Sequence, residues 1–205
     1  MSSKVDSSLN AAGLKPEETK NLPERSPNAN EQPVLAGLRE LYSCKPTEAS
    51  YSYIDICMRD SLTGHLQRSF DIYSQDAVFH DPVGIAKGIS SVRAQFMALA
   101  KIFEHADIPK FRLLQNPPTV PSNVLLIDQD VAYYRKGNSS SPTKTVNSLL
   151  TVKLDNSNKI LSHTEEWDHK KTATSEDGFL GMLNEERKKF TAAVTEMMVG
   201  EKPKN

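Results

Sequence analysis

The fold of this chain is decided by the stretch Asp76-Ala77-Val78-Phe79-His80-Asp81-Pro82-Val83-Gly84. Side chains alternate between the two faces of a strand, so Phe79 and Asp81 share one face and His80 lies on the other. Pro82 has no N–H group to donate to a sheet, so we expect the strand to end at Asp81. A turn at the end of a rigid strand leaves room for a ligand. Asp81 is therefore either a functional carboxylate or a residue that only caps the turn.

A second informative stretch lies between Lys159 and Asp168. Its alternation places one set of side chains together on one strand face: Leu161, His163, Glu165 and Trp167. A histidine and a glutamate that share an apolar interior would be desolvated and coupled, which is a usual way to tune an acid–base pair. The same two residues could equally form a hydrogen-bonded structural pair. A register slip of one residue would move both to the other face.

These two motifs, in this order, resemble the nuclear transport factor 2-like superfamily and its SnoaL-like and ketosteroid isomerase-like branches. The first stretch, with Gly88 and an amphipathic helix after it, is similar to the passage into the first strand, and the second is similar to the final strand. The resemblance covers about residues 34 to 169. It implies an α+β fold in which a curved antiparallel sheet wraps around N-terminal helices as a cone.

The composition divides the chain into three parts. Residues 1–32 are polar and contain few large apolar side chains, so we predict a disordered arm. Residues 33–170 form the α+β domain, and residues 171–205 contain an additional amphipathic helix and a tail. Within the domain, residues 51–69 mix strand and helix patterns and are interpreted as an inserted segment.

Helices precede strands within the domain. Apolar residues from Val34 to Tyr42 recur at helical spacing, and Ser90 or Ser91 is expected to cap the helix after Gly88. Asp128-Gln129-Asp130 is interpreted as a break between two strands. The predicted strands are Phe111 to Leu114, Val124 to Ile127, Val131 to Tyr134, Thr145 to Leu154 and Lys159 to Trp167.

Charge and cysteine content exclude several classes of protein. Lys and Arg total 25 against 26 for Asp and Glu, which argues against a general nucleic-acid-binding role. No apolar run is long enough to cross a bilayer, so we expect a soluble cytoplasmic protein. Cys44 and Cys57 lack metal-ligand spacing, and no phosphate-binding glycine loop occurs. We therefore predict neither a cofactor nor a metal.

The resemblance also implies roles for particular residues. Asp81 matches the general base of ketosteroid isomerases, and the inward face of the last strand places His163 and Glu165 toward the cavity. The position that matches the second, protonated acid falls on or near Leu150, which argues against steroid isomerisation. The resemblance does not assign the partner tyrosine, although Tyr42 or Tyr53 could fill its space. The expected pocket-lining residues are Tyr42, Phe79, Phe96, Tyr133 and Trp167.

Two functions remain open at this point. The first is a cofactor-independent lyase, isomerase or hydrolase that uses Asp81 with His163 or Glu165 on a small apolar metabolite. The second is a catalytically silent module of the same fold that binds a ligand or a protein. The enzyme requires these side chains to line one apolar pocket, whereas the silent module predicts a filled cavity. The resemblance additionally implies a homodimer.

Overall fold

Six strands form one sheet in the computed structural model, which describes residues 8–44, 69–135, 137, 140–171 and 179–185. The strands are β1 (Tyr73–Asp81), β2 (Gly84–Lys87), β3 (His105–Leu113), β4 (Val124–Tyr134), β5 (Lys144–Leu154) and β6 (Ile160–Trp167). Their order in the sheet is β2-β1-β6-β5-β4-β3, and neighbours are antiparallel except for the parallel pair β1 and β6. The predicted α+β fold with a curved sheet is confirmed. As Pro82 predicts, β1 ends at Asp81.

In the described part of the chain, the sheet is accompanied by helices α1 (Pro16–Lys20), α2 (Gln32–Tyr42), α3 (Ile89–Ile102) and α4 (residues 179–185). Apolar side chains of α2 and α3 pack with one sheet face, called here the inner face, in the main core. The serine cap predicted for α3 is wrong, because the helix begins at Ile89 directly after Gly88. Gly88 has a φ of 79°, a conformation that glycine adopts without a side-chain clash.

A bulge in β6 changes which residues face the core. Lys153 pairs with Ser162, but the next residue of β5 pairs with Ile160, so Leu161 is the extra residue. Ile160 is therefore fully buried and Leu161 is half-buried, in contrast to the predicted alternation. His163 and Glu165 lie beyond the bulge and keep the predicted inward orientation.

Strand β4 is continuous through Asp128, where the sequence predicts a break. The Asp128 carboxylate is buried on the outer sheet face, 3.0 Å from Lys110, 3.3 Å from Arg112 and 3.1 Å from the His169 ring. Burial by itself would raise the pKa of Asp128. Hydrogen bonds from His169, Lys110 and Asn147 outweigh this effect and hold the pKa well below its usual range. Partners on neighbouring strands therefore allow a charged residue inside the sheet.

Residues 8–32 belong to the arm that the sequence predicts to be disordered, and in the structure they include helix α1 and make defined contacts with the sheet. The Ala11 N–H donates to both carboxylate oxygens of Glu166, at 3.0 and 2.8 Å. The Thr19 hydroxyl lies 2.8 Å from Nδ1 of the buried His169 ring. A few apolar arm residues pack on the outer sheet cluster, which consists of Leu114, Val120, Val124, Leu126 and Leu149. Buried polar partners thus compensate for the small apolar content of the arm.

Other predictions fall on parts of the chain that the structure does not describe. The interpreted insertion at residues 51–69 lies outside the described residues except for residue 69, and Tyr53 lies outside them as well. The predicted C-terminal amphipathic helix is described at residues 179–185, which are helical.

Replacing Asp128 by Asn should lower the free energy of unfolding by about 2 kcal/mol at pH 7, because hydrogen bonds to a buried charge are lost. The pKa of this carboxyl group is lowered on folding, so its stabilisation is present above the unfolded pKa and disappears as the pH falls through the folded pKa. Urea unfolding of wild type and Asp128→Asn at pH 7 and pH 3 measures the effect. Asp107→Asn, at an exposed position of β3, is the control. A difference that does not shrink at pH 3 contradicts this account.

Candidate functional site

A small apolar cavity of about 40 Å³ lies between the inner sheet face, α3 and α4. Leu99 and Ile102 of α3 and Phe179 and Leu183 of α4 supply much of its apolar wall. Its polar groups come from the ends of two neighbouring strands, from α3 and from β4: Asp81, Gln95, Tyr133, Glu165 and Trp167. Strands β1 and β6 therefore bring Asp81 and Glu165 to one cavity, although 84 positions separate them in the sequence (165 − 81).

Asp81 both caps a turn and faces the cavity, so the two interpretations from the sequence coexist. Its Oδ1 accepts hydrogen bonds from the backbone N–H groups of Val83, at 2.9 Å, and Gly84, at 2.8 Å. Its Oδ2 accepts a hydrogen bond from the Gln95 amide at 2.6 Å. An ionised carboxylate can only accept, and these donors suit that form. The turn thus orients the carboxylate without removing it from the cavity.

Glu165 is more deeply buried than Asp81 and is 7% exposed. The Tyr42 hydroxyl donates to its Oε2 at 2.7 Å, and the Trp167 indole N–H donates to its Oε1 at 3.3 Å. Burial and, to a smaller extent, the negative charge of Asp81 raise the pKa of Glu165 to about 7, against the opposing effect of these hydrogen bonds. A substantial fraction of Glu165 therefore carries a proton at neutral pH.

Leu150 pairs directly with Glu165 across strands β5 and β6. Side chains of directly paired residues lie on the same sheet face, so Glu165 is the immediate neighbour of the position where the resemblance implies a protonated acid. Glu165 thus places a carboxyl group on the strand adjacent to Leu150.

His163 is fully buried behind the cavity wall and is not among the cavity-lining residues. Burial lowers the pKa of His163 to about 3, so the ring is neutral. The Tyr73 hydroxyl lies 2.8 Å from Nδ1, and the Tyr42 hydroxyl lies 3.4 Å from Nε2. Because the Tyr42 O–H group donates to Glu165, the consistent arrangement has Nε2–H donating to Tyr42 and Tyr73 donating to Nδ1. His163 therefore contacts Tyr42 and Tyr73 and does not line the cavity.

The predicted aromatic residues divide into two groups. Tyr133 and Trp167 line the cavity. Tyr42, Phe79 and Phe96 lie in the adjoining core instead, where the Phe79 ring is centred 4.6 Å from the His163 ring and 5.1 Å from the Phe96 ring. These three residues therefore pack behind the cavity wall together with His163 and do not line the cavity.

Gln95 contacts Asp81 and Tyr73 contacts His163, and neither contact was predicted from the sequence. Gln95 was detectable, since it shares a helical face with the apolar Val92 and Leu99 at spacings of three and four residues, where a polar side chain is unusual. Tyr73 had no local signal, because its partner His163 is 90 positions away.

The described residues also bear on metal binding and on membrane insertion. Among the described residues, no group of three or more His, Cys, Asp and Glu side chains is placed to hold a metal ion. His80 is exposed on the face of β1 opposite Asp81, as predicted. Within the part of the chain that the structure covers, no helix has the length and apolar character needed to span a membrane.

Comparison with solved structures identifies the fold. A steroid delta-isomerase from Pseudomonas aeruginosa aligns with 15% identity and a TM-score of 0.50 over 85% of this chain and 98% of its own. A protein with a cystatin-like fold from Silicibacter pomeroyi aligns with 9% identity and a TM-score of 0.51 over 83% of this chain and 93% of its own. The chain therefore has the nuclear transport factor 2-like fold of ketosteroid isomerase-like proteins. This confirms the fold that the resemblance implied, whereas identities this low do not determine activity.

No protein-family model and no curated protein sequence matches this chain.

Replacing Glu165 by Gln should stabilise the protein progressively as the pH rises. The folded pKa of about 7 exceeds the ordinary 4.5, so wild type loses stability as the pH rises through this window, whereas the neutral Gln does not. Between pH 4.5 and pH 8 the difference in free energy of unfolding should shift toward the variant by about 3 kcal/mol. Urea unfolding across this range measures the shift. Glu104→Gln, at an exposed position, should show none, and a pH-independent difference for Glu165→Gln would contradict the raised pKa.

Proposed function

We propose that this chain is a cofactor-independent enzyme, an isomerase, lyase or hydrolase, that transfers protons on a small apolar metabolite. One observation carries the proposal: the carboxyl groups of Asp81 and Glu165 share one apolar cavity but have different environments. Environments that separate the protonation states of two carboxyl groups are typical of acid–base sites. The fold alone does not carry this argument.

The environments assign a role to each carboxyl group. Asp81, held by three donors, is the general base that removes a proton from a carbon beside a carbonyl or from an attacking water. Glu165 is the acid, because its raised pKa of about 7 keeps a proton available for an oxygen atom of the ligand. Tyr133 lines the same cavity, so its hydroxyl can donate to the same oxygen. His163 acts through Tyr42 as a positioning residue.

The solved structures support an enzymatic function only through their shared fold. The steroid delta-isomerase from Pseudomonas aeruginosa shows that this fold can carry an isomerase. Leu150 stands near the position of the second acid of ketosteroid isomerases, so the reaction proposed here is proton transfer in general and not steroid isomerisation.

A catalytically silent module is the second candidate, and the size of the apolar cavity favours it. Its volume of about 40 Å³ admits little more than water, although Asp81 and Glu165 also line a second cavity of about 580 Å³. Under this alternative, Asp81 and Glu165 would brace the turn and the sheet without acting on a ligand. The two candidates differ in whether a proton exchanges on a bound molecule.

Homodimer formation and a cytoplasmic location are part of the same proposal. The arm covers the outer sheet cluster, so a homodimer would use the sheet surface that the arm leaves open. The mass of the particle in solution, measured by light scattering, distinguishes a monomer from a dimer. The location rests on composition, since the chain contains only two cysteines.

Replacing Asp81 by Asn should reduce proton exchange at the α-carbon of a cyclic ketone by at least about 100-fold, because general-base catalysis supplies roughly this factor. Exchange is followed in D₂O by proton NMR with a panel of small cyclic ketones, and a parallel panel of epoxides is assayed for hydration. Asp76→Asn, on an exposed position of the same strand, is the matched control and should retain full activity. Full activity in folded Asp81→Asn rejects the role of Asp81. Absence of any wild-type reaction across both panels favours the silent module.

A further inference from the structure

Two side chains of helix α4 form part of the cavity wall. Phe179 and Leu183 are 8% and 5% exposed, and both line the cavity that contains Asp81 and Glu165. They stand four positions apart, so they project from the same face of the helix. The apolar face of α4 is therefore inserted between α3 and the inner sheet face.

The phenyl ring of Phe179 is surrounded by other aromatic rings. Its centroid lies 5.9 Å from the ring of Phe103, 5.9 Å from the ring of Tyr133 and 5.8 Å from the ring of Trp167. These separations are those of favourable aromatic pairs. Phe179 thus occupies an aromatic-walled space next to the carboxyl groups, where a ring of a ligand would make the same contacts.

The apolar cavity is too small for a ring while Phe179 stays in place, although Asp81 and Glu165 also line a second cavity of about 580 Å³ together with His80 and Leu180. The apolar cavity measures about 40 Å³, whereas an apolar cavity of about 150 Å³ is known to hold one benzene molecule. Withdrawal of the Phe179 ring would vacate a space of benzene size that is continuous with this cavity. Withdrawal of Leu183 as well would enlarge it further and open the wall that α4 forms.

We propose that Phe179 and Leu183 are an internal occupant of the binding cavity and that the ligand is an apolar molecule with a ring at least the size of a phenyl group. The ligand enters by displacing α4, its ring replaces Phe179, and its polar end reaches Asp81 and Glu165. This proposal rests on the proposed function, because it assigns a ligand to the same cavity. It also accounts for the small volume of the apolar cavity.

Displacement of α4 has a measurable consequence for affinity. When only a fraction of the molecules is open, the observed Kd equals the intrinsic Kd divided by that fraction. Removing the internal occupant should therefore tighten binding of a ring-containing probe. The double variant Phe179→Ala/Leu183→Ala should bind 2-naphthol with a Kd at least about tenfold lower than that of wild type. Fluorescence titration of the full chain measures both constants.

The control variant lies on the same helix. Met182 is partly buried against the core but is not among the cavity-lining residues, so Met182→Ala should bind 2-naphthol as wild type does. A second measurement uses unmodified protein and therefore does not depend on whether the double variant folds. Saturating 2-naphthol should increase deuterium uptake at residues 179–185 in a hydrogen-exchange experiment, because the probe expels the helix.

Two results would overturn the internal-occupant proposal. One is equal affinity of wild type and the double variant, or no binding by either. The other is decreased deuterium uptake at residues 179–185 of wild type on binding, which would make α4 a fixed wall. Binding of 2-naphthol requires no proton transfer, so this proposal and the proposed enzymatic function can fail separately. Binding that tightens in the double variant, with no ketone exchange in wild type, would leave α4 as the occupant of a non-catalytic cavity.

Discussion

Burial of the Glu165 carboxyl group is the constraint around which the inner half of this structure is arranged. A carboxyl group removed from water must find hydrogen-bond donors or hold a proton. Tyr42 of α2 donates to Glu165, the His163 ring of β6 faces Tyr42, and Tyr73 of β1 faces His163. This chain of contacts joins one helix and two strands around a single ionisable group. The same contacts therefore hold α2 against the sheet and fix the position of the Glu165 carboxyl group.

Buried carboxyl groups on the two faces of the sheet have pKa values that are shifted in opposite directions. On the outer face, Asp128 lies within 3.3 Å of Lys110, Arg112 and His169, so it remains charged and its pKa falls. On the inner face, Glu165 has neutral donors and a second carboxyl group nearby, so its pKa rises. The outer arrangement fastens the strands and the arm together. The inner arrangement keeps a proton on Glu165 beside an apolar cavity, where it is available for transfer. The same raised pKa lowers the stability of the protein above neutral pH.

Local patterns in the sequence were sufficient for some features and not for others. The end of β1 at Asp81 followed from Pro82 and the shared face of His163 and Glu165 followed from alternation, because both are local effects. The inward orientation of that face was implied by the resemblance. The continuity of β4 through Asp128 and the contacts of the arm depended on partners from distant strands, which no local pattern contains. The sequence predicted the site only in part. Asp81 and Glu165 lie together in the cavity, whereas the relative depth of His163 depended on Tyr42 and Tyr73.

The most direct test of this account is the pKa of Glu165 itself. Carbon-13 NMR of protein labelled at the glutamate side-chain carboxyl groups follows each titration, and the signal absent from Glu165→Gln identifies Glu165. We predict a midpoint near 7, well above the ordinary 4.5. A midpoint at the ordinary value would contradict the account, because Glu165 would then be ionised at neutral pH and could not serve as the acid.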